Sequence, residues 1–393
     1  MSLTEKREHF KTSDIIDFAV KLLVKSGYPK VTAEATVFAL LEADKRGVFS
    51  HGLAGGTGLE EAVKGVGLFS TVKPKMNPEV LPQKYPTIGI IDGQGAPGHI
   101  TSFLAVELVK KLAREYGIAK VFVKEANHFG AAGVWSEMIA SEGDLIGTVT
   151  CTTSALAKPM GDDPEGLDYT KGAAKEVRMG TNPIAISVPH TDGLLTVDMA
   201  LTKMAANYCM KALKTGDMLT IPEYVANENY ESTLDPRDFV GKKEDGDAYI
   251  RGGIFPLGST HTGYKGDALL RMIEVEHSVG GGPIERVEVG SKRKRISLSF
   301  QAQVIDFLYT EEEAQTRVRE LMRDYESNYF GSNTRWPGDR SLIALEYSKK
   351  EGIPYSDGQI KMWKRATEFL GLNFDELIQS IGRKSYPKDI FKK

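Results

Sequence analysis

Residues 90–103 read IIDGQGAPGHITSF, and within them Gly93, Gly95 and Gly98 stand at the Gly-x-Gly-x-x-Gly spacing of a dinucleotide-binding turn. How this turn is used decides the fold. Before it, "TIGIID" (87–92) has strand character. After it, residues 99–116 carry apolar side chains at helical spacing, and "AKVFVKE" (119–125) forms a second strand, so the stretch belongs to a β-α-β unit. In a Rossmann fold the turn's amides receive a pyrophosphate, and an acidic residue at the end of the next strand, here Glu125, holds a ribose. Two residues oppose that use. Pro97 removes an amide from the turn, and Asp92 sets a negative charge ahead of the first glycine. The competing reading is a glycine-rich connection between strand and helix that holds no ligand.

Outward from the turn, the chain is helical at both ends and mixed in the middle. Ile15, Ile16, Ala19, Leu22 and Leu23 follow helical spacing from Thr12, with Ser13 as N-cap and Gly27 closing the segment. Thr32 opens a second helix with Val37, Leu40 and Leu41 on one face, ending near Gly47. Strands are expected at "DLIGTVTC" (144–151), "PIAISVP" (183–189), "LLTVDMA" (194–200) and 296–305, and a helix at 267–279. Residues 222–252 are polar and read as a long excursion with no core element. From Thr310 onward three helices follow, the last from Ser356 with Ile360, Trp363 and Leu370 in line. The expected architecture is α/β: residues 1–85 together with 306–393 form a helical domain around an inserted α/β domain, residues 86–305.

Composition narrows the partners. Lys and Arg number 50 against 53 Asp and Glu among 393 residues, so no overall basic field draws the chain to nucleic acid, and a small molecule is the expected partner. The one basic run, Lys292 to Arg295, has no interleaved aromatics and reads as a solvated turn. Cys151 and Cys209 are too few for a disulfide framework and lack metal-ligand spacing, which suits a reducing compartment and no metal. No apolar run approaches the roughly 18 residues of a membrane span. A soluble, cytoplasmic protein is expected.

Among seven histidines, His51 in "SHG" and His128 in "NHFGAAG" sit in glycine-flanked loops where a ligand can approach a side chain. "GTNP" (180–183) is a turn, and "VDMA" (197–200) ends an apolar strand in the carboxylate of Asp198. None of these decides anything alone. Together "ADKRGVFSHG", "NHFGAAG", "GTNPIAISVP", "VDMA", "FPLGSTHTGYKG" and "PGDRSLIALEYSKKEGI" stand in the order and approximate spacing of the type-2 malate/L-lactate dehydrogenases, which this sequence resembles from about residue 12 to residue 370. That sulfolactate-dehydrogenase-like family includes ureidoglycolate dehydrogenases, diketogulonate reductases and piperideine-2-carboxylate reductases.

The resemblance implies a non-Rossmann fold in which NAD, or NADP, lies between the helical and α/β domains, close to the interface of a homodimer. It also implies that the turn at Gly93 to Gly98 is not the cofactor cradle. Implied cofactor contacts are Leu194, Leu195, Thr196, Val197, Asp198, Met199 and Ala200, then Tyr264 and Lys265, then Gly338, Asp339 and Arg340. The last three open a helix whose free amides suit phosphate oxygens. By the same resemblance His51 gives a proton in reduction and takes it in oxidation, with His128 credited instead in some members, and an imidazole titrating near neutrality suits that role. Asp198 orients His51, Ser50 binds the substrate oxygen, and Asn127 and His128 line the pocket.

The sequence departs from the family at one chemically important place. Gly55 occupies the position of an arginine that grips the substrate carboxylate, so Lys158, Arg178 or Arg46 would have to replace it, or the substrate is no simple carboxylate. Residues 161–179 are also longer than the matching connection in relatives and would reshape the pocket. "YKGD" replaces the usual "HKGYG" but retains Lys265. The expected activity is hydride transfer between NAD(P) and a small 2-hydroxy or 2-oxo acid. A cofactor-binding homologue without catalysis, acting as a sensor or partner subunit, and a reductase of a non-carboxylate substrate are the alternatives.

Overall fold

The two ends of the chain share one apolar core, because their helices each carry a buried stripe too narrow to be covered alone. Among the residues described by the computed structural model (7–161, 170, 174, 176–242, 248–287, 295–379 and 384–385), β1 (Arg7–Phe10) leads into α1 (Thr12–Lys25), α2 (Lys30–Lys45) and the short α3 (Leu59–Lys64). The middle of the chain gives β2 (Glu79–Val80), β3 (Ile88–Asp92), α4 (Gly98–Tyr116), β4 (Ile118–Ala126), α5 (Ala132–Ala140), β5 (Leu145–Cys151), β6 (Ile184–His190) and β7 (Gly193–Met199). Then come α6 (Asn207–Thr215), α7 (Ser259–Val279), β8 (Ile296–Val304), α8 (Glu311–Asn328), α9 (Asp339–Glu351), β9 (Ile353–Ser356), α10 (Asp357–Phe369) and α11 (Phe374–Gln379).

Phe10, Phe18, Leu22 and Leu40 from the N-terminal end pack with Tyr355, Trp363 and Phe374 from the C-terminal end. Tyr355 meets Trp363 edge-on at 4.4 Å between centroids, and Phe10 meets Trp363 at 5.6 Å. Each such pair adds about 0.5–1.5 kcal/mol beyond the area it buries. β1 also pairs antiparallel with β9, from Arg7 opposite Ser356 to Phe10 opposite Ile353. Two N-terminal readings shift slightly. The N-cap of α1 is Lys11, leaving Ser13 inside the first turn, and α2 begins at Lys30, so Thr32 is an interior residue. Ser356 does cap α10, in a reciprocal capping box with Gln359.

The central sheet has seven strands in the order β2-β3-β4-β8-β5-β6-β7, and β3 with β4 is its one parallel pair. That mixed order is not the doubly wound parallel sheet of a Rossmann fold. Alternation places Val121, Val123, Val149 and Phe300 on the face covered by α4 and α5, while Phe122 and Thr150 meet His277 of α7 on the other. Two expectations need correction. α8 lies against β6 of the sheet instead of joining the helical ends. The polar stretch 222–252 contributes Tyr224, Val225 and Phe239 to a satellite core with Cys209 and Ile254, so it is more than an excursion. The long connection at 161–179 lies largely outside the described residues.

The turn that opened the sequence is accounted for by backbone geometry. Gly93 N–H donates to Lys124 O, Gln94 N–H to the Asp92 carboxylate, Gly95 N–H to Glu125 O and Ala96 N–H to Gly93 O. Pro97 has no amide to give, so the amides from Gly93 to Ala96 are spent within the protein and leave none there for a pyrophosphate. The glycines answer to close approach. A Cβ on Gly98 would overlap the carbonyl oxygens of Asn127 and His128, one on Gly93 would lie 2.9 Å from Glu125 O, and one on Gly95 would lie 2.7 Å from the Arg295 guanidinium. Glu125 points to solvent at a left-handed φ of 51°, its carboxylate 3.5 Å from Arg295. Arg295 itself is only 8% exposed in its side chain, which corrects the solvated-turn reading; Lys292 to Lys294 lie outside the described residues.

Gly98→Ala sets backbone against backbone and is expected to lower stability by about 2–3 kcal/mol. Gly95→Ala meets the movable end of Arg295 and, at φ +77°, should cost about 1 kcal/mol. Urea unfolding midpoints of the two variants check the ranking, and equal losses would refute it.

Candidate functional site

The loop that carries His51 leaves α2 as a tight coil. Phe49–His51 form a single 3-10 turn, His51 N–H donates to Val48 O, and Gly55 N–H and Gly58 N–H each reach back to a glycine carbonyl three residues earlier. Glycine is required here because the coil presses on itself: a Cβ on Gly55 would lie 2.6 Å from Ser50 O and 2.7 Å from Phe49 O. The absent arginine therefore reflects a loop whose path leaves no room for a side chain at that position. Two groups hold the loop from outside. Asn207, at the start of α6, donates from Nδ2 to Ser50 O at 3.0 Å, and Asp44 accepts the N–H of Leu53 at 2.8 Å.

His51 and His128 come together. Their rings stack at 5.6 Å between centroids with 15° between planes, although they stand 77 positions apart in sequence, with α3, β2, β3, α4 and β4 between them. Ser50 Oγ lies 2.9 Å from His51 Nδ1, and His128 Nδ1 accepts the N–H of Gly130 at 3.3 Å. Burial lowers His51 to about 4. It lowers His128 well below its ordinary value, helped by His51 and by the neighbouring His99. Both residues nevertheless keep part of their surface open to solvent. Burial thus sets both imidazoles below the near-neutral range expected of His51, with mutual repulsion a smaller cause at His128.

Asp198 occupies the end of β7, on the sheet face covered by α5. The N–H of Gly133 in the first turn of α5 donates to its carboxylate, and a Cβ on Gly133 would lie 2.7 Å from Oδ2. Burial, with Glu137 nearby, raises Asp198 to about 6, while part of its surface remains open to solvent. Among the described residues no hydrogen bond joins Asp198 to His51. Its expected orienting contact is therefore replaced by the α5 terminus on one side and Ser50 beside His51 on the other. β7 is also where a second expected segment arrives. A Cβ on Gly338 would lie 2.9 Å from Thr196 O, so the Gly338-Asp339-Arg340 turn at the start of α9 rests directly on the strand Leu194 to Met199. Asp339 N–H is used by Trp336 O, and Arg340 is exposed. Tyr264 and Lys265 lie on exposed positions of α7, with Nζ 5.7 Å from the Tyr264 ring. Further along the same helix, Leu270 and Ile273 pack with Met199 and Leu201.

Other expected site residues prove to be engaged elsewhere. Asn127 donates from Nδ2 to Gly95 O and Ala96 O, and its Oδ1 accepts from Thr71 and Arg295, so it ties down the glycine turn and has no group left for substrate. Lys158 is fully buried and donates to the carbonyls of Asn227 and Glu228. Arg46 is held by Glu42 and Glu137, and Arg178 by Glu274. Residues that the sequence did not disclose include Asp44, Asn207 and His99. The last is completely buried, stacks on Phe69, and has no partner for either ring nitrogen. Among the described residues no three His, Cys, Asp or Glu side chains gather as metal ligands, and no helix is long and apolar enough to cross a membrane.

Burial holds His99 at about 3, against 6.5 in the unfolded chain, so the folded state binds fewer protons and its stability falls as pH drops through that window. His99→Leu removes this dependence. Its stability relative to wild type should rise steadily between pH 6.5 and 4 in urea titrations; a pH-independent difference would contradict the assignment.

The pattern that defines the family described as malate/L-lactate dehydrogenase matches residues 10–363. The malate/(S)-sulfolactate dehydrogenase of Methanothermus fervidus is 28% identical over 363 residues, covering 90% of this chain and 95% of that protein. The L-sulfolactate dehydrogenase of Methanocaldococcus jannaschii is 28% identical over 373 residues, covering 92% and 96%. The solved malate dehydrogenase of Pyrococcus horikoshii OT3 superposes with a TM-score of 0.76 at 23% identity over 93% of this chain and 97% of that one. With this fold and with a match spanning both helical ends and the whole sheet, the chain belongs to the malate/L-lactate dehydrogenase family.

Proposed function

We propose that the chain interconverts a small 2-hydroxy acid and its 2-oxo acid with NAD or NADP, and that His51 moves the proton. The observation that carries this reading is the stacking of His51 on His128, both residues partly open to solvent, together with the packing of the start of α9 on β7. When bound, the nicotinamide supplies or accepts the hydride. The chain's own residues fit such a cofactor. The first turn of α9 offers the amides of Arg340 and Ser341 beside β7, and Asp198 gives that region a carboxylate. Residues Leu194 to Ala200, with Tyr264 and Lys265, complete the proposed cofactor surface, between a helical part (1–85 with 306–393, α8 apart) and an α/β part (86–305).

In oxidation a neutral His51 is ready to take the hydroxyl proton at Nε2 while Nδ1–H donates to Ser50 Oγ. In reduction the imidazolium gives up its Nε2 proton while Nδ1–H goes on donating to Ser50 Oγ, so the serine holds one tautomer in both directions. The low ring pKa means that His51 becomes an acid only with an anion beside it, and a substrate carboxylate in the same cleft supplies that charge. His128 offers Nε2–H to the substrate oxygen, because its Nδ1 is already an acceptor. Lys203 takes the place of the missing arginine. It is half-buried in the segment that joins β7 to α6 and forms no ion pair among the described residues, whereas Lys158, Arg46 and Arg178 are all held.

The same reading places the enzyme in the cytoplasm, where buried Cys151 and Cys209 stay reduced, and makes it a homodimer. Exposed Leu342 and Ile343 on α9 supply apolar surface for such an interface.

Oxidation of NADH and NADPH against oxaloacetate, pyruvate, phenylpyruvate, oxalurate and piperideine-2-carboxylate tests the function. At least one substrate should turn over, and His51→Ala should lose about 10²- to 10⁴-fold in kcat. Cofactor binding without turnover across the panel would favour a sensor. Lys203→Met should raise KM for the 2-oxo acid at least about tenfold and leave KM for the cofactor unchanged; an unaltered substrate KM would remove Lys203 from the site.

A further inference from the structure

Asp44 is the last buried residue of α2, and all of its environment belongs to the loop that follows or to the far end of the chain. Its Oδ2 accepts two hydrogen bonds, from Leu53 N–H at 2.8 Å and from the Tyr355 hydroxyl at 2.6 Å. Its Oδ1 has no partner and lies directly beneath Gly52, where any Cβ would overlap it. Gly52 and Leu53 are the two residues after His51. Tyr355 is itself immobile, because it is fully buried in β9 and packs edge-on against Trp363, Phe10 and Phe49. Phe49 is the residue two before His51. One tyrosine therefore touches the loop ahead of His51 by its ring and, through Asp44, fixes the loop after His51 by its hydroxyl.

We propose that Asp44, held by Tyr355, is the positioning residue that sets the height of the His51 ring against His128. Neither group touches substrate or cofactor. Their effect is on where a side chain three to four bonds up the loop stands, and proton transfer falls steeply when the donor is displaced by a fraction of an ångström. A carboxylate suits the post because it accepts two hydrogen bonds on one oxygen and leaves the other pressed against a glycine, where an amide NH₂ would find no acceptor. Burial raises Asp44 to about 7, in keeping with a carboxylate kept out of water by a tight loop.

The inference rests on the reading of His51 as the proton carrier, and the experiment separates the two. Tyr355→Phe removes one hydroxyl from a packed ring. It should fold, lower kcat roughly tenfold, and leave KM for the cofactor within about twofold; Asp44→Asn should lower kcat further. In protein carrying ¹³C-labelled histidine, the His51 ring signal, identified by its loss in His51→Gln, should shift in Tyr355→Phe together with that of His128, while His277 stays in place. The ring shift does not depend on turnover, so it reports on positioning even if His51→Ala proves active and the proton role fails. An unmoved His51 signal in both variants overturns the proposal. So does a kcat loss that is matched by an equal loss in cofactor KM and thermal stability, since that would mark a purely structural role.

Discussion

The contact on which the rest depends is between two pieces of backbone: Gly98, at the start of α4, against the carbonyls of Asn127 and His128 just beyond β4. No side chain fits between them. This approach brings the first turn of a 19-residue helix onto the end of the neighbouring strand, and Asn127 then sews the glycine turn to that strand with two donated hydrogen bonds. His128 is carried along and emerges on the opposite side from Asn127, toward the helical core where His51 waits. A motif that in other folds opens a space for phosphate here closes one, and the closure is what aligns two imidazoles from different cores.

Desolvation sets the chemistry of those imidazoles. Burial penalises charge whichever group carries it, so the histidines are driven toward neutrality and Asp198 toward protonation. An empty cleft of this kind holds few net charges of its own. It gains its working charge distribution from what enters it, which couples occupancy to protonation state.

Much of this was legible in the sequence. The β-α-β unit, the strands at 144–151, 183–189 and 194–200, and the three C-terminal helices follow from apolar period and capping residues, and the structure places them within a few residues of where the pattern does. His51 and His128, which the structure stacks, were legible as candidates because glycine-flanked histidines recur in a family order; that Asp198 would not touch His51 was not. What could not be read was the second use of each polar group. Asn127 and Lys158 look like ligands in a string of letters, yet their hydrogen bonds are satisfied by carbonyls far along the chain. Asp44 looks like a surface acid at a helix end, and only the return of Tyr355, 311 positions later, makes it a buried acceptor. Periodicity reports on which face is covered; it carries no account of which long-range partner covers it.

The order of strands in the central sheet has a consequence for how the protein is made. β8 (Ile296–Val304) lies between β4 and β5, the two strands that flank it on both sides. A ribosome releases β4 and β5 long before it reaches β8, so the nascent sheet exists as two half-sheets with facing raw edges and a gap one strand wide. Each edge is a template for another chain until the closing strand is synthesised, and the final step is the threading of a hydrophobic segment, Ile296 to Phe300, into that gap.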